Sequence, residues 1–317
     1  MTILITGGAG FVGSHLCERL ISDGHFVICY DNFDSYYSPE IKRKNISELF
    51  RNPNFRLVES DIRDKSGLET ALSQGKVDVV VHLAAMAGVR PSIQRPELYY
   101  DVNITGTLRL LETMRSANVK KLVFGSSSSI YGNNDKIPFS ETDNVDHPIS
   151  PYAASKKAGE LLCYTYSHLY SFDVFCLRFF TVYGPRQRPD MAIHQFAKNI
   201  ADGKPITLYG DGTSRRDYTF VDDIVAGIEK AITRVSGYEV INLGESSTIS
   251  LIDLIHMIEE EVGVKAIIRW LPMQPGDVLM TNADIKKARM LLDYDPQYSV
   301  KQGIQQFCQW LNLERNS

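Results

Sequence analysis

A glycine-rich turn near the start of the chain constrains the fold more than any other feature of the sequence. Residues 2–6 predict a short buried strand, the glycines of residues 7–13 follow at once, and residues 14–21 show helical periodicity. A second apolar strand over residues 26–30 ends at Asp31. Glycine permits a tight turn and lets the backbone and the helix N-terminus approach a pyrophosphate. The sequence therefore predicts a βαβ unit that binds a dinucleotide.

The acidic residue after the second strand indicates which dinucleotide this unit binds. A carboxylate at that place accepts hydrogen bonds from an adenosine ribose and would repel a 2′-phosphate. Asp31 therefore favours NAD over NADP. The glycines fit the pattern G-x-G-x-x-G counted from Gly8 and equally G-x-x-G-x-x-G counted from Gly7.

Apolar strands and helical segments continue to alternate as far as residue 180. Residues 77–83 form a nearly continuous apolar run, which is typical of a parallel sheet covered on both faces. We therefore predict an α/β fold, a doubly wound parallel Rossmann sheet with right-handed crossovers. The other predicted strands lie near residues 55–58, 121–125 and 174–180, and the other predicted helices near residues 39–50, 64–74, 103–117 and 151–170.

The composition of the sequence changes after residue 180. Pro, Gly and Arg become frequent there, and the predicted helical segments become shorter. We predict that residues 1–180 form the NAD-binding Rossmann domain, with a segment near residues 220–245 returning to it. Residues 181–317 are then mainly a smaller C-terminal α/β substrate lobe. Its predicted helices lie near residues 191–202, 250–261, 284–292 and 299–313.

A tyrosine and a lysine lie one turn apart at the start of the predicted helix 151–170. Ser150 suits the N-cap and Pro151 the first helical position, so Tyr152 and Lys156 share one helix face. A free tyrosine has a pKa of about 10, a nearby positive charge lowers it, and such a tyrosine can act as a general base. Taken alone, the pattern is a weak signal that a solvated helix face explains better. The dinucleotide signal upstream favours a proton-transfer pair.

Composition excludes several other classes of protein. The formal net charge of −4 argues against a general affinity for nucleic acid. No apolar run approaches the ~18 residues of a membrane span, and the chain enters its first strand directly, so we expect neither a membrane protein nor a signal peptide. The 5 cysteines are scattered without a C-x-x-C pattern. We expect a cytoplasmic protein with reduced cysteines and no metal site.

Taken together, the motifs resemble the extended short-chain dehydrogenases, which include nucleotide-sugar epimerases, dehydratases and decarboxylases. The resemblance covers essentially the whole chain. It rests on the N-terminal glycines, Ser127, Tyr152-x-x-x-Lys156, and residues 177–185 and 216–223. More narrowly, several segments resemble UDP-glucuronate 4-epimerases, namely residues 31–37, 84–90, 166–170, 178–185, 188–192 and 273–278.

This resemblance implies NAD-dependent 4-epimerisation of UDP-glucuronate to UDP-galacturonate through a 4-keto sugar. Tyr152 would take the proton of the 4-hydroxyl, Lys156 would hold the nicotinamide ribose and lower the pKa of Tyr152, and Ser127 would position the reacting oxygen. Together with the strand ends, the resemblance gives the candidate cofactor-binding residues. They are Gly7, Gly10, Phe11, Val12, Gly13, Asp31, Asn32, Asp61, Ile62, Leu83, Ala84, Ala85, Asn103, Ser126, Tyr152, Lys156 and Phe180.

The serine run at residues 127–129 indicates which reaction of the family the chain catalyses. Dehydratases carry Asp and Glu at the positions of Ser128 and Ser129, and UDP-glucuronate decarboxylases carry Glu at the second of them. Their absence favours simple epimerisation. Ser128, Ser129 and Thr181 are candidates to hold a substrate carboxylate, although tight packing beside a cofactor would also explain the serines. A UDP-hexose 4-epimerase and a UDP-glucuronate decarboxylase stay open as alternatives.

The remaining expectations concern the diphosphate and the assembly. Arg216 matches the family's phosphate-binding arginine, and Arg90 and Arg188 are further candidates on the substrate side. Where the family usually has a second phosphate-binding arginine, the chain has Gln274. Arg188 is a candidate to make that second phosphate contact in its place. By resemblance we expect a homodimer that pairs helices near residues 95–116 and 153–170 with their copies.

Overall fold

Apolar strands alternating with helices build the protein, described here from a computed structural model that covers residues 1–73, 75–273 and 278–316. The strands are β1 (Thr2–Thr6), β2 (Phe26–Asp31), β3 (Phe55–Glu59), β4 (Val79–His82), β5 (Lys121–Ser127), β6 (Asp173–Phe179), β7 (Thr181–Tyr183), β8 (Ile206–Tyr209), β9 (Arg215–Arg216), β10 (Tyr218–Phe220), β11 (Tyr238–Leu243), β12 (Ile249–Ser250) and β13 (Ile268–Leu271).

The α-helices are α1 (Phe11–Ser22), α2 (Pro39–Asn45), α3 (Lys65–Ser73), α4 (Val89–Gln94), α5 (Pro96–Tyr100), α6 (Gly106–Ser116), α7 (Pro151–Tyr170), α8 (Ala192–Ala201), α9 (Val221–Arg234), α10 (Leu251–Val262), α11 (Lys286–Leu292) and α12 (Val300–Asn316). Ser47–Arg51 and Ser128–Tyr131 are short 3₁₀ helices, and Asp101–Thr105 has π-helical geometry. No helix in the described parts of the chain combines the length and the apolar character that a membrane span requires.

The central sheet has 7 strands in the order β11-β6-β5-β4-β1-β2-β3. Every neighbouring pair is parallel. The strand order reverses at β1, which lies between β4 and β2, and ligands bind at the carboxyl ends next to such a point. The predicted doubly wound parallel sheet is confirmed.

Both faces of this sheet are covered by helices. Successive side chains of a strand point to opposite faces, so Ile3 and Ile5 of β1 pack in one core cluster and Leu4 in the other. Helices α1, α9 and α11 lie on the first face, and α3, α6 and α7 on the second. Burial on both faces explains the continuous apolar runs in the strands.

The C-terminal part of the chain returns to the sheet, as the sequence indicated for the segment near residues 220–245. Strand β11 pairs with β6 along its whole length. The other C-terminal strands form three two-stranded sheets, β10 with β7, β12 with β9, and β13 with β8. The division into a Rossmann domain and a substrate lobe stays a prediction.

Two predicted helices differ from the observed ones. The segment 39–50 is interrupted at Ile46, whose φ of −115° ends α2 before a 3₁₀ helix begins. The segment 103–117 is the end of a helical stretch that already begins at Pro96, in the first helical position of α5. Proline at that position is a start signal that the sequence carried.

Candidate active site

The glycine turn packs too closely against its neighbours to accept larger residues. Gly7 has a φ of +71°, and a Cβ there would lie 2.7 Å from the backbone nitrogen of Ala84. A Cβ on Gly13 would lie 2.2 Å from the carbonyl oxygen of Gly7. Helix α1 then begins at Phe11 without a side-chain cap, because its N-cap residue is Gly10. The turn and the uncapped N–H groups suit a pyrophosphate.

An open cavity of about 770 Å³ lies at the carboxyl ends of β1, β2 and β4, and we call it the glycine cavity. Nine of the expected cofactor-binding residues line it, and these are Gly7, Gly10, Phe11, Asp31, Asn32, Ile62, Leu83, Ala84 and Ala85. Sequence reasoning missed the residues from the loop after β2 and the start of α2, namely Asp34, Tyr36, Tyr37 and Lys42. Asp34, Tyr36 and Tyr37 lie in the segment 31–37 that carries the family resemblance, but the resemblance assigned no ligand to them, and Lys42 lies outside that segment.

A second cavity adjoins the first and shares Gly7, Gly10, Phe11, Leu83 and Ala85 with it. We call it the tyrosine cavity, because Tyr152 and Lys156 line it together with Ser126, Val12 and Gly13. The fold thus brings the glycine turn and the Tyr-x-x-x-Lys pair to one continuous cleft.

Helix α7 positions the tyrosine and the lysine as the sequence indicated. The Ser150 hydroxyl accepts a hydrogen bond from the backbone nitrogen of Ala153 at 3.1 Å and so caps the helix. Lys156 is buried, with its Nζ 4.8 Å from the centre of the Phe124 ring. Burial lowers the pKa of Lys156 to about 8.

Burial is the largest influence on the pKa of Tyr152. It raises the pKa of the phenol, and a hydrogen bond with Ser127 and the charge of Arg188 lower it. Desolvation of the phenol thus opposes the expected lowering by Lys156, and that lowering stays a prediction.

The serine run lies where β5 ends beside β6. The Ser127 hydroxyl accepts a hydrogen bond from the backbone nitrogen of Ser129 at 3.2 Å, and lies 3.1 Å from the Ser129 hydroxyl. Ser127 pairs in register with Phe179, so Thr181 follows two residues beyond its partner. Ser128, Ser129 and Thr181 are half-buried, and none of them is among the described lining residues of the cavities.

Three expected cofactor-binding residues, Asn103, Phe180 and Asp61, are not among the described lining residues of these two cavities. Asn103 uses its whole amide inside the protein, with hydrogen bonds to both backbone groups of Met86 and to the Ser155 hydroxyl. The ring of Phe180 packs against Tyr131, with 6.3 Å between centroids. The expected contact of Asn103 and Phe180 with a cofactor stays a prediction.

Asp61 and Ser126, two expected cofactor-binding residues, also make hydrogen bonds within the protein. Asp61 accepts hydrogen bonds from Arg63 and Asn32, and the bond with Arg63 lowers its pKa to about 2. Although Ser126 lines the tyrosine cavity, its hydroxyl donates to the buried carboxylate of Glu160 at 2.7 Å.

A third cavity, of about 790 Å³, contains two of the three expected substrate arginines, and we call it the arginine cavity. Arg90 and Arg216 line it together with Asp190. The Arg90 guanidinium lies 4.4 Å from the centre of the Tyr209 ring. Arg188 lines the glycine cavity instead, yet it pairs with Asp190, so it lies between the two cavities. Gln274 lies outside the described residues.

Among the described residues no cluster of three or more His, Cys, Asp or Glu side chains could hold a metal ion. All 5 cysteines are free thiols, four of them buried.

Comparison with known proteins identifies the family. The sequence model of the NAD dependent epimerase/dehydratase family matches residues 3–244 of the chain. The chain belongs to this family. It is therefore an NAD-dependent enzyme, and the glycine turn, the uncapped start of α1 and Asp31 fit that cofactor.

Individual members of the family are similar over nearly the whole chain. A UDP-glucuronate 4-epimerase from Thermodesulfobacterium geofontis is 44% identical over 308 residues, which cover 97% of this chain and 95% of the relative. The crystal structure of a UDP-glucuronic acid 4-epimerase from Bacillus cereus, in complex with UDP-glucuronic acid and NAD, has a TM-score of 0.94 at 38% identity and covers 99% of this chain and 100% of its own. A UDP-glucose 4-epimerase from Thermotoga maritima, solved with UDP-glucose, has a TM-score of 0.92 at 33% identity and covers 99% and 100%.

Proposed function

We propose that the chain is an NAD-dependent UDP-sugar 4-epimerase that converts UDP-glucuronate into UDP-galacturonate. The observation that carries the proposal is the run of three hydroxyls, Ser127 to Ser129, at the end of β5, the first of which hydrogen-bonds with Tyr152. Dehydratases and decarboxylases of this family need carboxylates in this run. The naming of similar proteins as UDP-glucuronate 4-epimerases supports the choice of the uronate.

Tyr152 is the proposed base. It takes the proton of the sugar 4-hydroxyl as C4 is oxidised to a ketone, and it returns a proton when the ketone is reduced from the opposite face. When bound, NAD would supply the hydride chemistry at C4, which the protein's side chains cannot supply. Ser127 orients the reacting oxygen by hydrogen bonding. Lys156, an ammonium buried in the same cavity, holds the ribose next to Tyr152.

Epimerisation of a uronate requires that the substrate keep its carboxylate. Once C4 is a ketone, the C6 carboxylate belongs to a β-keto acid, which loses CO2 most readily when the breaking bond stands perpendicular to the carbonyl plane. We infer that Ser128, Ser129 and Thr181 hold the carboxylate out of that orientation. Hydrogen bonds to an ionised group are worth roughly 1.5–3 kcal/mol each. Three hydroxyls can therefore make the orientation strongly preferred.

Arg90 and Arg216 are proposed to bind the diphosphate, because both line the arginine cavity. A guanidinium suits a bidentate contact with phosphate oxygens. Arg188 is proposed to contact the substrate from the boundary between the two cavities, where Asp190 currently balances its charge.

We further propose that the protein is a homodimer. Helix α7 leaves Leu161, Tyr164 and Leu169 more than half exposed, at 55%, 54% and 60%. Leu108 on the neighbouring α6 is 39% exposed. An apolar surface shared by two adjacent helices suits a symmetric four-helix contact between two copies. Tyr166 of the same helix is buried against Phe172 and does not belong to this surface.

The experiment that tests the function is product analysis with two substrates. The purified protein with NAD is incubated separately with UDP-glucuronate and UDP-glucose, and the nucleotide sugars are separated by chromatography. We expect UDP-galacturonate from the first and little turnover of the second. A UDP-pentose with released CO2 would identify a decarboxylase, and fast turnover of UDP-glucose alone would identify a hexose epimerase.

A further inference from the structure

Tyr99 of α5 lies almost at a right angle to the ring of Tyr152 on the neighbouring helix α7. The centroids of the two rings are 6.2 Å apart, and their planes meet at 84°. Tyr99 is fully buried, with 0% of its surface exposed. Aromatic rings favour this edge-to-face arrangement, because the positive edge of one ring meets the negative face of the other. The ring of Tyr99 therefore limits the orientations that are open to the ring of Tyr152.

The side chain of Tyr99 is itself fixed at both ends. Helix α5, which carries it, packs against α7. Its hydroxyl donates a hydrogen bond to the backbone oxygen of Ala87 at 2.8 Å. Ala87 lines the tyrosine cavity, so this bond ties Tyr99 to the wall of the cavity that contains Tyr152. The support that Tyr99 offers to its neighbour is therefore rigid.

Tyr152 has separate partners for its hydroxyl and its backbone. The hydroxyl hydrogen-bonds with Ser127 at the end of β5. The backbone oxygen accepts a hydrogen bond from the Ser155 hydroxyl at 2.8 Å. These bonds fix the two ends of Tyr152, whereas the contact with Tyr99 fixes the tilt of the ring between them.

We propose that Tyr99 is a positioning residue for epimerisation, and that its ring holds the phenol of Tyr152 in place for the sugar 4-hydroxyl. This inference rests on the proposed role of Tyr152 as the base. The same phenolic oxygen has to meet the sugar oxygen twice, once when C4 is oxidised and again when C4 is reduced from the opposite face. A displacement of about 1 Å between reacting groups can slow a reaction about 100-fold. The tilt of the Tyr152 ring should therefore affect kcat more than substrate binding.

Two substitutions at Tyr99 separate the effect of its ring from that of its hydroxyl. Tyr99→Leu removes the ring, and we expect kcat to fall about 10- to 100-fold. KM and the dissociation constant of NAD should stay within about threefold of wild type. Tyr99→Phe keeps the ring and loses only the bond to Ala87, so kcat should recover to at least about a third of wild type. All constants are measured for the nucleotide sugar that the wild type turns over, with NAD at saturation in the kinetic assays.

Tyr294→Leu is the matched control for the loss of a buried tyrosine. Tyr294 is 3% exposed, and its hydroxyl also donates to a backbone oxygen, that of Gly244 at 3.1 Å. It is not among the described lining residues of the glycine, tyrosine or arginine cavities. The melting temperature should fall about as much as in Tyr99→Leu, whereas kcat should stay within about twofold of wild type. If Tyr99→Leu does not fold, Tyr99→Met takes its place, because the flexible methionine side chain fills irregular gaps.

Four results would overturn the proposal. The first is a kcat of Tyr99→Leu within about threefold of wild type. The second is a Tyr99→Phe protein as slow as Tyr99→Leu, which would assign the effect to the hydroxyl. The third is a loss of NAD affinity as large as the loss of kcat, which would make Tyr99 a support of cofactor binding. The fourth is an equal loss of kcat in Tyr294→Leu, which would make the effect one of general destabilisation.

Tyr152→Phe, assayed beside these variants, separates this inference from the proposed function. Substantial activity of Tyr152→Phe would contradict the role of Tyr152 as the base, and the positioning role of Tyr99 with it. An inactive Tyr152→Phe together with a fully active Tyr99→Leu would contradict the positioning role of Tyr99 alone.

Discussion

Arg188 and Asp190 form a bidentate pair in the cleft, with Nε to Oδ1 and Nη2 to Oδ2 each at 3.0 Å. The Tyr36 hydroxyl donates to the same carboxylate at 3.2 Å, so the pair also joins the loop after β2 to the segment after β7. Arg188 is the cation whose charge lowers the pKa of Tyr152. The pair therefore sets the charge near the proposed base.

Opposite substitutions in this pair should move the pH profile in opposite directions. Arg188→Met removes the charge that favours the phenolate, so the pKa of Tyr152 rises and the acidic limb of kcat/KM moves to higher pH. Asp190→Asn removes a negative charge and leaves Arg188 unbalanced, so the limb moves to lower pH. Kinetics at saturating NAD between pH 6 and 11 measure both. Shifts of the same sign in the two variants would contradict this role of the pair.

Loss of carboxylate control should appear in the products. Ser129→Ala or Thr181→Ala removes a hydroxyl that we assign to the C6 carboxylate, so the share of UDP-pentose should rise several-fold, with CO2 as co-product. Chromatography of the nucleotide sugars measures that share. Ser116→Ala, at an exposed serine of α6, serves as control and should change nothing. An unchanged product ratio in both active variants would remove these hydroxyls from the carboxylate site.

The sequence predicted the central sheet and most of the cleft, because both depend on local patterns. Strand and helix periodicity determine the parallel sheet, and the ends of its strands bring together Gly7, Asp31, Ala84 and Ser127. These residues are far apart in the chain, yet the topology alone places them at one edge.

The rest of the site depends on packing that no local pattern reports. Lys156 lies on the expected helix face. Its burial, and the lowered pKa that burial causes, depend on the core packed around it. The pairing of Arg188 with Asp190 and its effect on Tyr152 require the C-terminal segment to fold over the cleft. Tyr37 lies in a loop that has no regular structure before α2 begins at Pro39, so sequence periodicity could not predict the positions of Tyr37 and of Lys42 in α2.

The half-buried carboxylate of Glu245, which follows β11, should limit stability at alkaline pH. Burial, together with the charges of Asp223, Asp217 and Asp295, raises the pKa of Glu245 to about 7. Unfolded glutamate titrates near pKa 4.3, so the folded state disfavours the ionised form, and stability falls as the pH rises through 7.

Glu245→Gln removes that charge. The melting temperature should therefore rise by a few degrees at pH 8 and change much less at pH 5. Differential scanning calorimetry at both pH values measures this, with Glu48→Gln, at a side chain 77% exposed, as control. An equal gain at both pH values would show that charge is not the cause.

The proposed dimer can be tested by one charge. Leu161→Glu places a carboxylate in the exposed apolar face of α7, and we expect a monomer in analytical ultracentrifugation. Met290→Glu changes a residue of α11 that is 72% exposed, and the dimer should persist. A monomeric wild type, or a Leu161→Glu protein that still dimerises, would exclude this surface as the interface.

The central claim is that C4 is oxidised and reduced again on the enzyme by one returning hydride, with Tyr152 as base and the carboxylate retained. The most direct measurement follows UDP-glucuronate carrying deuterium at C4, with wild type and Tyr152→Phe each loaded with NAD. Mass spectrometry and NMR should find UDP-galacturonate that keeps its deuterium at C4, no CO2 release, and activity below a few per cent of wild type for Tyr152→Phe with NAD still bound. Loss of the deuterium to solvent, a UDP-pentose as main product, or substantial activity of Tyr152→Phe would contradict the claim.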